Sequence, residues 1–422
     1  MGEAAERPAA ARIDDWTDPV FPPEIAEMRA SLAPIADAIV LEPEALIDEA
    51  RAAAGLHDLG IDDDPGWTDR LDLLLTCLRE DADLDAWGTV SNAGLLGQLI
   101  RNRLLLTDLL ARHPEIHDIP IEAPIVIGGM PRTGTTHLHN LLAADPNLRT
   151  LPYWESLEPV LPAAEVGVSP DPRLERTAFA LGMVNGSMPL FERMHEMTVD
   201  HAHEEIQLLA MDMSSMLFET TACMPRWRTH FLGRDQTPTY RYLRTVLQAL
   251  LFLRPDQPKR WVLKTPQHQE QIPALLDVFP DATFVLTHRD PAEVTVSVCT
   301  MLAYTARLTT AHPDPLAVAD YWIPRCEEML EAGRRDHDLL PPDRTVDVRI
   351  TDLVADDMHE VERIYEAASQ PLPGTSRAAM DAFVAAHPRG RFGTIVSDPD
   401  VFGIDMAERR QAMAPYRERF AV

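Results

Sequence analysis

The feature that most constrains the fold of this 422-residue chain is an apolar run that leads into a glycine-containing loop and then into an amphipathic segment. Ile125–Gly129 precedes Met130-Pro131-Arg132-Thr133-Gly134-Thr135-Thr136, and the following HLHNLLAA has helical periodicity. Gly129 and Gly134 enclose four residues, as in loops of the form GxxxxGK[ST]. Backbone N–H groups and a helix start can then surround a phosphate. The pattern favours a phosphate-binding loop over a plain glycine turn with an incidental arginine.

The loop departs from the nucleoside triphosphate pattern at one position. Thr135 occupies the place of the lysine that normally reaches the β and γ phosphates, and Arg132 lies inside the loop instead. We therefore expect the loop to bind a different anion through Arg132, Thr133, Gly134, Thr135 and Thr136.

The spacing of apolar residues in the sequence changes near residue 122. Residues 24 to about 118 have apolar positions at spacings of three and four, which predicts helices. After IPIEAP, the short apolar runs APIVIGG, KRWVLK, ATFVLTHR and RTVDVRI alternate with amphipathic segments, which predicts a parallel α/β sheet flanked by helices. We therefore predict an all-helical N-terminal region over residues 1–122 and an α/β domain with a P-loop-like sheet over residues 123–422.

Two of the predicted strands end in a cation. Lys264 ends KRWVLK, and Arg289 ends ATFVLTHR, with Ser297 eight residues further on. Ligands of open parallel sheets bind outside the carboxyl ends of the strands, so Arg132, Lys264 and Arg289 are expected at one edge. Each residue alone is typical of a solvated charge or a packed helix position. Their combination indicates an anion site.

These motifs resemble those of sulfotransferases that use 3′-phosphoadenosine 5′-phosphosulfate (PAPS), especially the branch near tyrosylprotein sulfotransferase and its bacterial relatives. The resemblance covers roughly residues 123 to 422. It implies that PRTGTT is the 5′-phosphosulfate loop, that Arg289 and Ser297 hold the 3′-phosphate, and that Lys264 in KTP assists the leaving group. Arg132 and Lys264 would then be catalytic, and PAPS would be the sulfuryl donor.

The resemblance also implies a base and a second basic loop. Glu155 lies 23 residues after Arg132, close to the position of the usual catalytic glutamate. Arg389, Gly390 and Arg391 in HPRGRFG resemble the basic glycine loop over the 3′-phosphate. The alternative for Glu155 is a capping role in a surface turn, in which case Glu158, His137 or the cluster from His201 to Glu205 takes the proton.

Histidines cluster in two places, with His137 on the loop helix and His201 and His203 in DHAHEEI. His201 and Glu205 would lie one turn apart on a helix. A polar helix face and a lining of the acceptor pocket are both open interpretations for His137, His201, His203 and Glu205. Metal ligation is disfavoured because no third spaced ligand is evident, so no metal is expected.

Composition restricts the partners. Lys and Arg number 38 against 67 Asp and Glu, and the formal net charge of −29 disfavours nucleic acid, anionic lipid and polyanionic sugars. Charged residues interrupt the apolar stretches well short of the ~20 residues of a membrane span. The first residues lack the apolar core of a secretory signal, so we expect a cytoplasmic protein. Homo-oligomerisation is left open.

The sequence thus predicts a sulfotransferase that moves a sulfuryl group from PAPS to a hydroxyl of a small-molecule or lipid acceptor, since residues 180–253 are rich in Met and Leu. One alternative is a P-loop kinase-like phosphotransferase using ATP, which Thr135 and the lack of a clear hhhhD strand disfavour. A non-catalytic nucleotide-binding scaffold is the other, and the presence of Arg132, Glu155 and Lys264 disfavours it.

Overall fold

A parallel sheet lies at the centre of the α/β part of the chain. The structure is a computed structural model that describes residues 8–62, 64 and 66–422. Within those residues the main sheet has four strands in the order β4-β1-β5-β6, and β2 and β3 form a small antiparallel pair. The strands are β1 Ile125–Gly129, β2 Leu151–Pro152, β3 Ala202–His203, β4 Val262–Lys264, β5 Thr283–His288 and β6 Thr345–Arg349. The predicted parallel sheet is confirmed.

Register explains why the sheet forms a site at one edge. Ile127 of β1 lies opposite both Lys264 of β4 and Val285 of β5, and Gly129 lies opposite Thr287. The strands are parallel, so their carboxyl ends meet at the same edge. The loop after Gly129, the side chain of Lys264 and the residues after β5 therefore start from neighbouring points.

The N-terminal region is helical, as the apolar spacing predicts. Its first two helices are separated at Leu32, just before Pro34, and the third ends at Gly55, which has a left-handed φ of 66°. The helices are α1 Pro23–Ser31, α2 Ala33–Ala36, α3 Pro43–Ala54, α4 Gly66–Glu80 and α5 Ala86–Arg112.

Helices cover both faces of the main sheet. The longer ones are α8 Pro172–Ser187, α12 Thr237–Leu253, α14 Pro291–Thr305, α15 Pro315–Asp336, α17 Asp357–Ala367 and α18 Gly374–Ala386. The shorter ones are α6 Thr135–Ala143, α7 Tyr153–Leu157, α9 Ile206–Ala210, α10 Leu217–Thr221, α11 Pro225–Gly233, α13 Ile272–Val278, α16 Ile350–Ala355, α19 Met406–Ala412 and α20 Ala414–Phe420. Short 3₁₀ helices occur at Pro114–Asp118, Ala163–Glu165, Phe191–Arg193, Pro266–Glu270, Ala306–Leu308, His337–Leu339, Pro342–Arg344 and Pro399–Phe402. No helix in the described ranges is both long enough and apolar enough to cross a membrane.

The N-terminal helices share a hydrophobic core with the sheet. Trp67 and Leu71 of α4 belong to the same buried cluster as Tyr240 of α12 and Phe284 of β5. Burying apolar side chains of both regions in one cluster couples their stability. The domain boundary at residue 122 remains a prediction. One continuous hydrophobic core contains residues from both sides of that boundary.

Candidate functional site

The loop between β1 and α6 is held in a conformation that depends on glycine. Gly134 caps α6 with a left-handed φ of 94°, and a Cβ added there would lie 2.6 Å from Ile350 Cδ1. The Thr133 hydroxyl donates to the Met130 carbonyl at 2.7 Å and lies 2.5 Å from Thr287 Oγ1. Thr133 thus fastens the loop to β5, whereas Thr136 lines the adjoining cavities and is free to meet a ligand. Thr135 is buried at the first position of α6.

Arg132 adopts an unusual backbone conformation for a residue with a side chain. Its φ is 72°, in the left-handed region that costs about 1–2 kcal/mol for an L-residue. Its Nε donates to Ser297 Oγ at 3.2 Å, and its Nη1 donates to the Met194 carbonyl. No carboxylate of the described residues lies within ion-pair distance of this guanidinium. Burial, aided by repulsion from Arg289, lowers the pKa of Arg132.

Arg289 and Ser297, which are predicted to hold one phosphate group together, both contact Arg132. Arg289 Nη1 donates to the Arg132 carbonyl at 3.0 Å, while Ser297 accepts from Arg132 Nε. The three residues line a cavity of about 340 Å³, here called the arginine cavity. Arg289 also binds Glu293, one turn along α14, at 2.9 Å. The fold therefore brings together Arg132, Arg289 and the Ser297 hydroxyl, although Arg132 and Ser297 are 165 residues apart in the sequence.

Lys264 is buried at the end of β4 and is held by two consecutive glutamates. Its Nζ lies 2.5 Å from Glu204 Oε1, and its backbone N–H donates to Glu205 Oε2 at 3.0 Å. Glu205 is also bonded to His268, whose Nδ1 lies 2.8 Å from the Tyr240 hydroxyl. Glu205 therefore binds the backbone N–H of Lys264, and Glu204 is the counter-ion of the lysine side chain.

The idea that His201 and Glu205 share a helical face is wrong. Residues 202–203 form β3, paired with β2, and the next helix begins only at Ile206. The side chain of Glu205 contacts Lys264 and His268 rather than His201. Among the described residues, no group of three or more His, Cys, Asp or Glu side chains has an arrangement that could hold a metal ion.

A cluster near Lys264 is instead formed by four histidines, which are His139, His195, His201 and His203. His201 Nε2 lies 3.0 Å from His203 Nδ1, and the His203 ring packs 4.5 Å from that of Tyr153. Burial, with the charge of Lys264 adding to it, lowers the pKa of His139 and His203, and lowers that of His195 to about 3. Burial also lowers the pKa of His201 to about 4. These rings are therefore neutral at pH 7 and add no charge to the cation site.

Glu155 is placed unfavourably for the role of base. It is 1% exposed, and its two carboxylate oxygens bind Arg149 Nη2 at 2.5 Å and Arg254 Nε at 2.6 Å. Both of its carboxylate oxygens are therefore occupied by guanidinium groups. A base must reach the proton that it removes. The geometry argues against the predicted catalytic role and supports a structural ion-pair network.

The segment His387–Gly393 lies against α6 and the loop before α9. Arg389 Nη2 binds Asp357 Oδ1 at 2.5 Å, and Asp357 also lies 2.8 Å from His137 Nε2. Arg391 forms an ion pair with Glu196. Gly390 has a left-handed φ of 72°. The predicted basic loop therefore borders the site, with both arginines bound to carboxylates. The pKa of His137 is lowered by burial, which Asp357 opposes.

Two further cavities adjoin the arginine cavity. The larger, the histidine cavity, has about 420 Å³ and is lined by His137, His201 and the segment His387–Gly393. The smaller, the loop cavity, has about 270 Å³ and is lined by the loop with Ile350 and Leu353. Arg193 and Met194 line both the arginine and the histidine cavities. No sequence signal marked those two residues, and Met194 acts through its backbone carbonyl, which accepts from Arg132 Nη1.

A parallel sheet with a glycine loop of this form between its first strand and a helix is the architecture of P-loop-like proteins. The chain belongs to the sulfotransferase family, whose sequence profile, described as "Sulfotransferase family", matches residues 124–374. No curated protein sequence matches the chain.

Solved structures agree with this membership. The crystal structure of sulfotransferase STF9 from Mycobacterium avium is 25% identical, with a TM-score of 0.80, and the match covers 91% of this chain and 98% of that one. Sulfotransferase STF1 from Mycobacterium tuberculosis H37Rv is 28% identical, with a TM-score of 0.75 and coverage of 90% and 98%. At such coverage the similarity extends into the N-terminal helical region as well as the sheet.

Proposed function

We propose that the protein transfers a sulfuryl group from PAPS to a hydroxyl of a small-molecule or lipid acceptor. The observation that carries the proposal is the pair of Arg132 and Arg289 beside Ser297. Arg132 is a partly buried cation without a carboxylate partner among the described residues, and it lines one cavity together with a second arginine. An anion bound there relieves the repulsion between the guanidiniums and accepts charge-assisted hydrogen bonds.

The residues around the cavities fit the two phosphate groups of the donor. Arg289 and Ser297 would hold the 3′-phosphate, and the backbone N–H groups from Arg132 to Thr136, at the start of α6, would hold the 5′-phosphate. Arg389, Gly390 and Arg391 would close this end of the site. Because Arg389 and Arg391 are bound to Asp357 and Glu196, we propose that they position the segment and reach phosphate only on exchange of those partners.

Lys264 and Arg132 would supply the positive charge that sulfuryl transfer requires. PAPS provides the activated sulfuryl group, and negative charge develops on the leaving phosphate oxygen as that group moves. Lys264 is buried, so its interaction with such an oxygen is screened less than at the surface. The neutral rings of His137, His201 and His203 would line the path to the acceptor from the histidine cavity.

Thermal shift measurements test the proposal against the two alternatives. A ligand that binds the native state raises the melting temperature. We expect 3′-phosphoadenosine 5′-phosphate (PAP), the product nucleotide, to raise it without Mg²⁺, and ATP or Mg-ATP to raise it less. A larger shift with Mg-ATP would favour the kinase-like alternative. PAP binding without conversion of PAPS in the presence of hydroxyl acceptors would favour the scaffold.

A further inference from the structure

The ion pair between Lys264 and Glu204 places a carboxylate next to the cation that would meet the leaving group. Lys264 Nζ lies 2.5 Å from Glu204 Oε1, and the Glu204 side chain is 17% exposed whereas that of Lys264 is 2% exposed. An ammonium group has three N–H donors. Glu204 uses one of them, so the lysine can hold Glu204 and an oxygen of a ligand at the same time.

The position of Glu204 is fixed from both sides. Residues Ala202–His203 form β3 immediately before it, and Leu151 of β2 pairs with His203. Glu205, immediately after it, binds the backbone N–H of Lys264 and is 1% exposed. Two consecutive glutamates thus fasten the same lysine, one by its backbone and one by its side chain. This double attachment keeps the Glu204 carboxylate at the end of β4.

The other candidate bases have ring nitrogens or oxygens committed elsewhere. Glu155 has both carboxylate oxygens on arginines, and His137 Nε2 lies against Asp357. His201 and His203 are bonded to each other through ring nitrogens. Glu204 Oε2, like His137 Nδ1 and His203 Nε2, has no hydrogen-bond partner in the part of the chain that the structure describes, but of these three groups only Glu204 is bonded to Lys264. It is a carboxylate oxygen available to a proton donor beside Lys264.

We propose that Glu204 is the general base that receives the proton of the acceptor hydroxyl. The proposal rests on the proposed function. As the acceptor oxygen forms its bond to sulfur, its proton passes to Glu204, and the bond between sulfur and the bridging oxygen breaks. The electron pair of that bond stays on the 5′-phosphate, whose oxygen accepts a hydrogen bond from Lys264. The ion pair of Glu204 and Lys264 therefore acts on both the acceptor hydroxyl and the leaving phosphate.

Glu204→Gln tests this assignment, because the amide keeps the shape and removes the basicity. PAP affinity is measured by calorimetry, and conversion of PAPS to PAP is followed between pH 5.5 and 9 with water or an added phenol as acceptor. We expect PAP affinity within threefold of wild type or tighter, and turnover lower by ~10²–10⁴. Formate is expected to restore part of the turnover of Glu204→Ala.

Glu175→Gln, an exposed position on α8, is the matched control and should leave both readouts unchanged. Turnover of Glu204→Gln within threefold of wild type would overturn the assignment. Tenfold weaker PAP binding would also overturn it, since it would show that Glu204 mainly positions Lys264. A comparable loss of turnover in His203→Gln, with Glu204→Gln unaffected, would assign the base to the histidine pair. Failure of the wild type to bind PAP would refute the proposed function itself.

Discussion

Replacing Glu155 by Gln separates the structural role of this residue from the catalytic role that its sequence position implies. The carboxylate holds Arg149, whose side chain is 6% exposed, and Arg254, which is 30% exposed. Breaking a buried ion pair typically costs 3–5 kcal/mol, and solvent screens the contact with Arg254, so we expect a loss of about 3 kcal/mol. The unfolding entropy of a chain this long is roughly 0.9 kcal/mol/K, which converts the loss to a Tm decrease of about 3 °C.

The assay pairs the melting temperature with turnover per folded molecule. We expect Glu155→Gln to keep PAP affinity and turnover within about threefold of wild type. Glu165→Gln is a suitable control, because its ion pair with Arg176 is about one-third exposed on both sides and is worth under about 1 kcal/mol. An unchanged Tm together with a hundredfold loss of turnover would refute the structural role and restore Glu155 as the base.

Three further predictions concern the cation site. Arg289→Ala should weaken PAP binding by roughly tenfold to over a hundredfold, since a charge-assisted contact is worth ~1.5–3 kcal/mol; unchanged affinity by calorimetry would remove Arg289 from the site. Lys264→Ala should lower turnover more than PAP affinity, because its charge is needed most as the leaving group departs; full turnover would contradict this. The pKa of His201 is lowered to about 4, below the ~6.5 of an unfolded chain, so the stability that its neutral form contributes is present above pH 6.5 and is lost as the pH falls towards 4. The decrease in Tm from pH 7 to 5 should therefore be smaller in His201→Gln than in wild type, and an equal decrease would contradict the role of burial.

Local patterns were sufficient for the fold and for the loop. The alternation of apolar runs and amphipathic segments predicts all four strands of the main sheet, because the inner strands are buried along their length and the edge strand β6 alternates buried valines with polar residues. The carboxyl-edge rule predicts that Arg132 and Arg289 meet, because parallel strands end at one edge. Both predictions depend on short-range periodicity and on a general property of parallel sheets.

Two residues show where local pattern is insufficient. Glu155 and Glu204 are both glutamates close to aromatic or histidine residues in the sequence, and neither has a distinctive local signal. Arg149 and Arg254 decide the environment of Glu155, and Lys264 decides that of Glu204. Arg254 and Lys264 lie about 100 and 60 residues away from these glutamates. A carboxylate becomes a structural counter-ion or an accessible base through such distant partners.

The sequence by itself determined the four strands of the main sheet, the N-terminal helices, the glycine loop, and which cations stand at strand ends, because those depend on periodicity and on the backbone freedom of glycine. Only the tertiary structure decided that β3 interrupts the expected helix at His201, that Glu205 binds a backbone N–H, and that Glu204 stands beside Lys264. The physical reason is that burial and charge pairing depend on the packing of segments far apart in the chain, whereas secondary structure depends on neighbours.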